Sequence, residues 1–166
     1  MTDKKPRGLK PRMCLIPWPV LAACGLGPVE LEAFALPMPP SPIPELLAVL
    51  LEPEAESGRE RVKLQDVAAI FMTGDAKYGR ENWMLSSWSR DDQDEYWSAF
   101  YRHLDGAQHD AGGIDPDSGF PHRAHAVCNL LILGWNEIAE ADRSLGDKVQ
   151  RAPSPYCPLR HLPVVK

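Results

Sequence analysis

The sequence lacks an apolar run long enough to span a bilayer. Its longest, Ala126 to Leu133 and on to Trp135, falls well short of the roughly 20 residues a transmembrane helix needs. It also lacks positive charge. A net charge of −5 argues against stable nucleic-acid binding, because grip on a phosphate backbone needs a positive surface; a local site for an anionic ligand stays open. Cys14, Cys24, Cys128 and Cys157 lie far apart with no CxxC spacing. That argues against a zinc ribbon or a dense disulfide framework and points to a reducing cytoplasm. Internal repeats and strand-like alternation are both missing, so an all-α core is the expectation.

Proline, in contrast, is abundant. The chain has 17 in 166 residues, about twice the usual share of roughly 5%, and they are unevenly placed. The length suits one domain with a sizeable core. Residues 1–62 read as a basic and proline-rich arm or insertion, 63–145 as a helical catalytic core and 146–166 as an irregular tail. The opening "MTDKKPRGLKPRMCLIPWPVLAAC" has a basic start, an apolar run and a Leu-Ala-Ala-Cys end, features shared with lipoprotein signals. Pro17 and Pro19 interrupt that run, which favours a soluble chain. In "PMPPSPIPELLAVLLEP" the prolines leave room for one short helical piece, Glu45 to Leu51.

Helical patterning strengthens from Lys63. Leu64, Val67, Ala68 and Phe71 fall at i, i+3, i+4, i+7, an amphipathic helix with Gly74 as its expected C-terminal glycine. "KYGRENW" then reads as a loop. Ser89 is placed to cap a second helix with Asp92 three residues on, and the acidic run "DDQDE" suits the positive end of the helix dipole. A glycine- and aspartate-rich loop follows from Asp105 to Phe120; at that length a loop is commonly functional or disordered. Pro121 opens a third helix running toward Arg143.

Chemistry concentrates around that helix. His122 and His125 stand at i, i+3, with Asn129 four residues beyond, so all three project from one stripe. They could bind a metal or a phosphate, or simply cap the helix and hydrogen-bond at a core edge. Asp115 and Asp117 precede them and could add oxygen ligands, a mixed set suited to Mn²⁺, Fe²⁺ or Zn²⁺, although "DPDSG" is also an ordinary turn. Lys77, Arg80 and Arg102 could meet phosphates, while Tyr78, Asn82 and Trp83 could hold a base or sugar. A solvated charged loop with Trp83 in the core is the plainer reading. Glu137 and Glu140 read as the exposed end of the third helix.

Taken in order, "KPRMCLIPWPVL", "KYGRENW", "YRHL" and "DPDSGFPHRAHAVCNLL" resemble the blocks of the phage dATP/dGTP diphosphohydrolases, the MazZ type. The resemblance implies a MazG-like all-α helical bundle that cuts dGTP, or also dATP, to the monophosphate and pyrophosphate with Mg²⁺ or Mn²⁺. It further implies a homodimer or homotetramer in the host cytoplasm, serving 2-aminoadenine nucleotide synthesis. MazG-type enzymes carry Glu-x-x-Glu followed by Glu-x-x-Asp; the comparable positions here read Asp92-x-x-Glu95 and His122-x-x-His125. The implied site takes Asp117, His122 and His125 as catalytic, with Glu95, His103 and Asn129 joining them as metal ligands. The rival from another class is a noncatalytic oligomeric nucleotide-binding or scaffold protein, assembled through the proline-rich arm.

Overall fold

The computed structural model describes residues 11–52, 61–78 and 88–141. Among these the chain is all-α. The described residues form five helices, α1 Trp18–Ala23, α2 Ile43–Leu51, α3 Leu64–Tyr78, α4 Arg90–His109 and α5 His122–Ala141, with short 3₁₀ turns at Met13–Leu15, Val29–Phe34 and Ala111–Gly113. The one β-type pairing among the described residues is an isolated bridge, Ile114 to Pro121. None of the described helices is long and apolar enough to cross a membrane.

Helix α5 is the axis of the fold. Ala126, Cys128, Leu130, Ile132, Leu133 and Ile138 are each at most 7% exposed, and by helical periodicity these positions face all sides of the helix. A helix apolar all round must be surrounded, and α1, α2, α3 and α4 all pack on α5. Gly134 lets α1 approach: a Cβ there would meet Val20 Cγ1 at 2.7 Å. Helix α4 lies antiparallel to α5. Its first turn is tied to the far end of α5 by Gln93 Nε2 donating to Glu140 Oε1 at 2.9 Å.

Helix α4 begins as its sequence dictates. The Ser89 hydroxyl accepts from the Asp92 N–H at 3.2 Å while Asp92 Oδ2 accepts from the Ser89 N–H at 2.8 Å, a capping box that satisfies two orphan donors. Four sequence expectations need correction. Helix α3 runs through Gly74 to Tyr78, so that glycine is interior and "KY" belongs to the last turn. Helix α4 likewise continues through Gly106 to His109, shortening the expected loop to 110–121.

The larger correction concerns the proline-rich segment, which is no appended arm. Leu15, Ile16, Val20, Leu21, Ile43 and Leu47 are core residues, five of them with no exposed surface beyond 1%. Proline supports this packing. Pro19 and Pro44 occupy first-turn positions of α1 and α2, where the missing N–H costs nothing and the fixed φ suits a helix start. Glu137 also differs from expectation: its Oε2 is buried with no hydrogen-bond partner, and burial raises its pKa.

Candidate active site

The turn between α4 and α5 is built to place side chains. Gly112, Gly113 and Gly119 take φ values of 64°, 68° and 75°, a region glycine enters without steric cost. Between them the Asp115 N–H donates to the Phe120 carbonyl at 2.9 Å, and the Gly119 N–H donates to the Asp115 carbonyl at 2.8 Å. Asp115 organises the turn with its carboxylate too. Oδ1 accepts from the Asp117 N–H at 3.2 Å, and Oδ2 accepts from the Ser118 hydroxyl at 2.8 Å. Burial alone would raise the Asp115 pKa, yet these donors and the nearby imidazoles lower it on balance. The group is an acceptor held in place.

Against this turn lie three imidazoles. His125 Nε2 is 2.7 Å from Ser118 Oγ and 3.4 Å from Asp115 Oδ2. Because a carboxylate can only accept, Ser118 gives its one proton to Asp115, and His125 is the donor to Ser118. The His125 proton therefore sits on Nε2, leaving a lone pair on Nδ1. The His103 ring stacks on His125 with centroids 4.4 Å apart and planes 7° apart. Its Nδ1 meets His122 Nδ1 at 2.9 Å. His122 Nε2 in turn meets Asp110 Oδ2 at 2.6 Å. Burial first, then the neighbouring His125 and His122 rings, push the His103 pKa down to about 4. His125 is lowered as well, chiefly by burial. Both rings are neutral bases at neutral pH.

A cavity of about 670 Å³ opens beside these rings, lined from α3, α4, the turn and α5. It gathers most of the residues anticipated from sequence. Lys77, Tyr78, Glu95, Arg102, His103, Asp117, His125 and Asn129 all border it, although they span more than fifty residues of chain. Phe71, Tyr96 and Phe120 supply aromatic faces. Lys77 Nζ sits 5.0 Å from the Tyr78 ring centroid, and Arg102 Nη2 is 3.4 Å from Glu95 Oε1 in an exposed pair. Arg80, Asn82 and Trp83 lie outside the described residues.

His122 does not border the cavity. It is 6% exposed, with each ring nitrogen already engaged, so the expectation that it touches metal or substrate gives way to a supporting position behind His103. Asp110 and Ser118 went unsingled in the sequence. Asp110 does carry a signal: it follows His103 and Gly106 at i+7 and i+4, one face of α4. Ser118 had none beyond its place in a turn.

The described residues offer no three His, Cys, Asp or Glu side chains that could together cage a metal. What they do offer is carboxylates bordering a cavity that also holds cations. A divalent ion fits such a place as the counter-ion carried on a polyphosphate, since Mg²⁺ is commonly held by one or two carboxylates plus substrate phosphates.

Cations for phosphate charge, neutral imidazoles for a proton and aromatic faces for a ring are the equipment of a helical phosphoanhydride hydrolase. A family model described as dATP/dGTP diphosphohydrolase, N-terminal, matches residues 61–144, just over half of the chain. The chain belongs to that family and is a hydrolase acting on nucleoside triphosphates. No curated protein and no solved structure matches it.

Proposed function

We propose that the cavity between α3, α4 and α5 binds dGTP or dATP with Mg²⁺ or Mn²⁺ on its phosphates and hydrolyses it to the monophosphate and pyrophosphate. The observation that carries this is the convergence of Lys77, Arg102, His103, His125, Asp117 and Tyr96 on one cavity. Lys77 and Arg102 meet the triphosphate charge, and the aromatic faces hold the purine. Water adds to the α-phosphorus, its bond to the α–β bridging oxygen breaks, and pyrophosphate leaves with the nucleoside monophosphate remaining. The departing water proton goes to a neutral imidazole, His103 or His125, the residues with free ring lone pairs. A bound divalent ion would neutralise phosphate charge and acidify the water; Glu95, Asp117 and Asn129, which border the cavity, would complete its coordination. The family resemblance extends this reading to a homodimer or homotetramer in the host cytoplasm, supplying purine monophosphate for 2-aminoadenine nucleotide synthesis.

Incubation of the full chain with each dNTP and Mg²⁺ or Mn²⁺ tests the reading. Purine substrates release equimolar monophosphate and pyrophosphate, and His125→Ala lowers turnover on the order of a hundredfold, the usual worth of a proton-transfer group, with an unchanged helical spectrum. Nucleotide binding without any pyrophosphate would sink the proposal in favour of a noncatalytic nucleotide-binding protein.

A further inference from the structure

His103 borders the cavity, and its Nδ1 meets His122 Nδ1. Which of its two nitrogens carries the proton decides what the cavity meets. The answer can be followed from the carboxylate inward. Asp110 Oδ2 accepts only, so at 2.6 Å the proton lies on His122 Nε2. A neutral imidazole has one N–H, so His122 Nδ1 is then an acceptor. Opposite a neutral His122, His103 Nδ1, at 2.9 Å, is the donor. The lone pair of His103 is left on Nε2, which has no hydrogen-bond partner among the described residues.

We propose that Asp110 is a positioning residue for the hydrolysis: acting through His122, it fixes the His103 proton on Nδ1 and keeps Nε2 as a base at the cavity. This rests on reading the cavity as the hydrolytic site.

The fold makes room for the relay. A Cβ at Gly106 would lie 2.7 Å from both Cε1 and Nε2 of His122, so the His122 slot exists only because residue 106 has no side chain. His103, Gly106 and Asp110 share one face, and Asp110 is anchored as the C-cap of α4 by its N–H donating to the Gly106 carbonyl at 2.9 Å. A carboxylate behind an imidazole is a general device for fixing tautomer and orientation. Here it acts one ring further on, and the stacked His125 ring reaches the same condition through Ser118 and Asp115.

The test is ¹⁵N NMR of histidine-labelled full chain, free of metal and nucleotide, beside steady-state kinetics with dGTP. The native protein shows His103 as the Nδ1–H tautomer. In Asp110→Asn the His103 proton redistributes to Nε2, and kcat falls at least about tenfold while KM changes less than about twofold; Asp110→Glu restores the tautomer and most of the turnover. Native His103 protonated on Nε2, or Asp110→Asn with unaltered tautomer and kcat, overturns the proposal. The NMR arm does not depend on activity. A native protein with the expected tautomer but no pyrophosphate release refutes the hydrolytic reading while leaving the proton assignment standing.

Discussion

Burial holds the His103 imidazole at about 4, against an ordinary value of 6.5, and that gap has a consequence for stability. Between these two values the unfolded chain binds a proton that the folded one refuses. Stability from this group is therefore full above about pH 6.5 and lost as pH falls toward 4. His125, lowered in the same direction, adds to the loss. Urea unfolding of the metal-free protein should show a midpoint that drops from pH 7 to pH 4.5, with a shallower drop in His103→Gln. An equal slope in both proteins would remove His103 as the cause. At this scale the sequence was partly readable. The i, i+3 spacing of His122 and His125, with Asn129 four residues on, announces a polar stripe, while His103 joins it only through the family resemblance. Spacing along one helix does not tell which ring faces a cavity and which faces a neighbouring helix; Asp110, twelve positions upstream of His122, decides that.

The α4–α5 pair is where side-chain chemistry depends on helix approach. An interior glycine such as Gly106 costs a helix roughly 0.5–1 kcal/mol relative to alanine, so on propensity alone Gly106→Ala should stabilise. The contact with the His122 ring reverses this. An added methyl displaces a buried ring from two hydrogen bonds, each contributing about 1 kcal/mol, so the net change is zero or unfavourable. Gly106→Ala should leave the melting temperature level or lower it, and turnover of dGTP should fall with it; a clear rise in melting temperature with full turnover would show the ring had room. Sequence cues at this scale worked where they were local. Ser89 and Asp92 signalled the α4 start from their own spacing. Gly74 misled because a glycine inside a helix looks like a glycine that ends one; at Gly106 the His122 ring supplies the reason for an interior glycine, whereas a Cβ at Gly74 would meet nothing within 4 Å.

At the scale of the whole molecule, the N-terminal third completes the core around α5. Leu47 has no exposed surface, and Leu47→Ala should cost about 2–5 kcal/mol by urea unfolding, the range for a large-to-small core change. A cost near zero would return the segment to the status of an appendage. Its sequence concealed this role, because prolines at 37, 39, 40, 42 and 44 break the long periodicity by which core helices are recognised, while Ile43, Leu47, Leu50 and Leu51 still reach the core over barely two turns.

The imidazole–carboxylate assembly, from His103 to His125, lies wholly within one helical hairpin and the turn that joins its arms. Closing so short a stretch of chain costs little entropy, and the cost grows only slowly with length. The arrangement therefore forms as the hairpin forms, without waiting for residues far away in the chain. Damage to the N-terminal third then changes how many molecules are folded at a given moment, not what each folded molecule does, and turnover per folded molecule should be the same in Leu47→Ala as in the native protein.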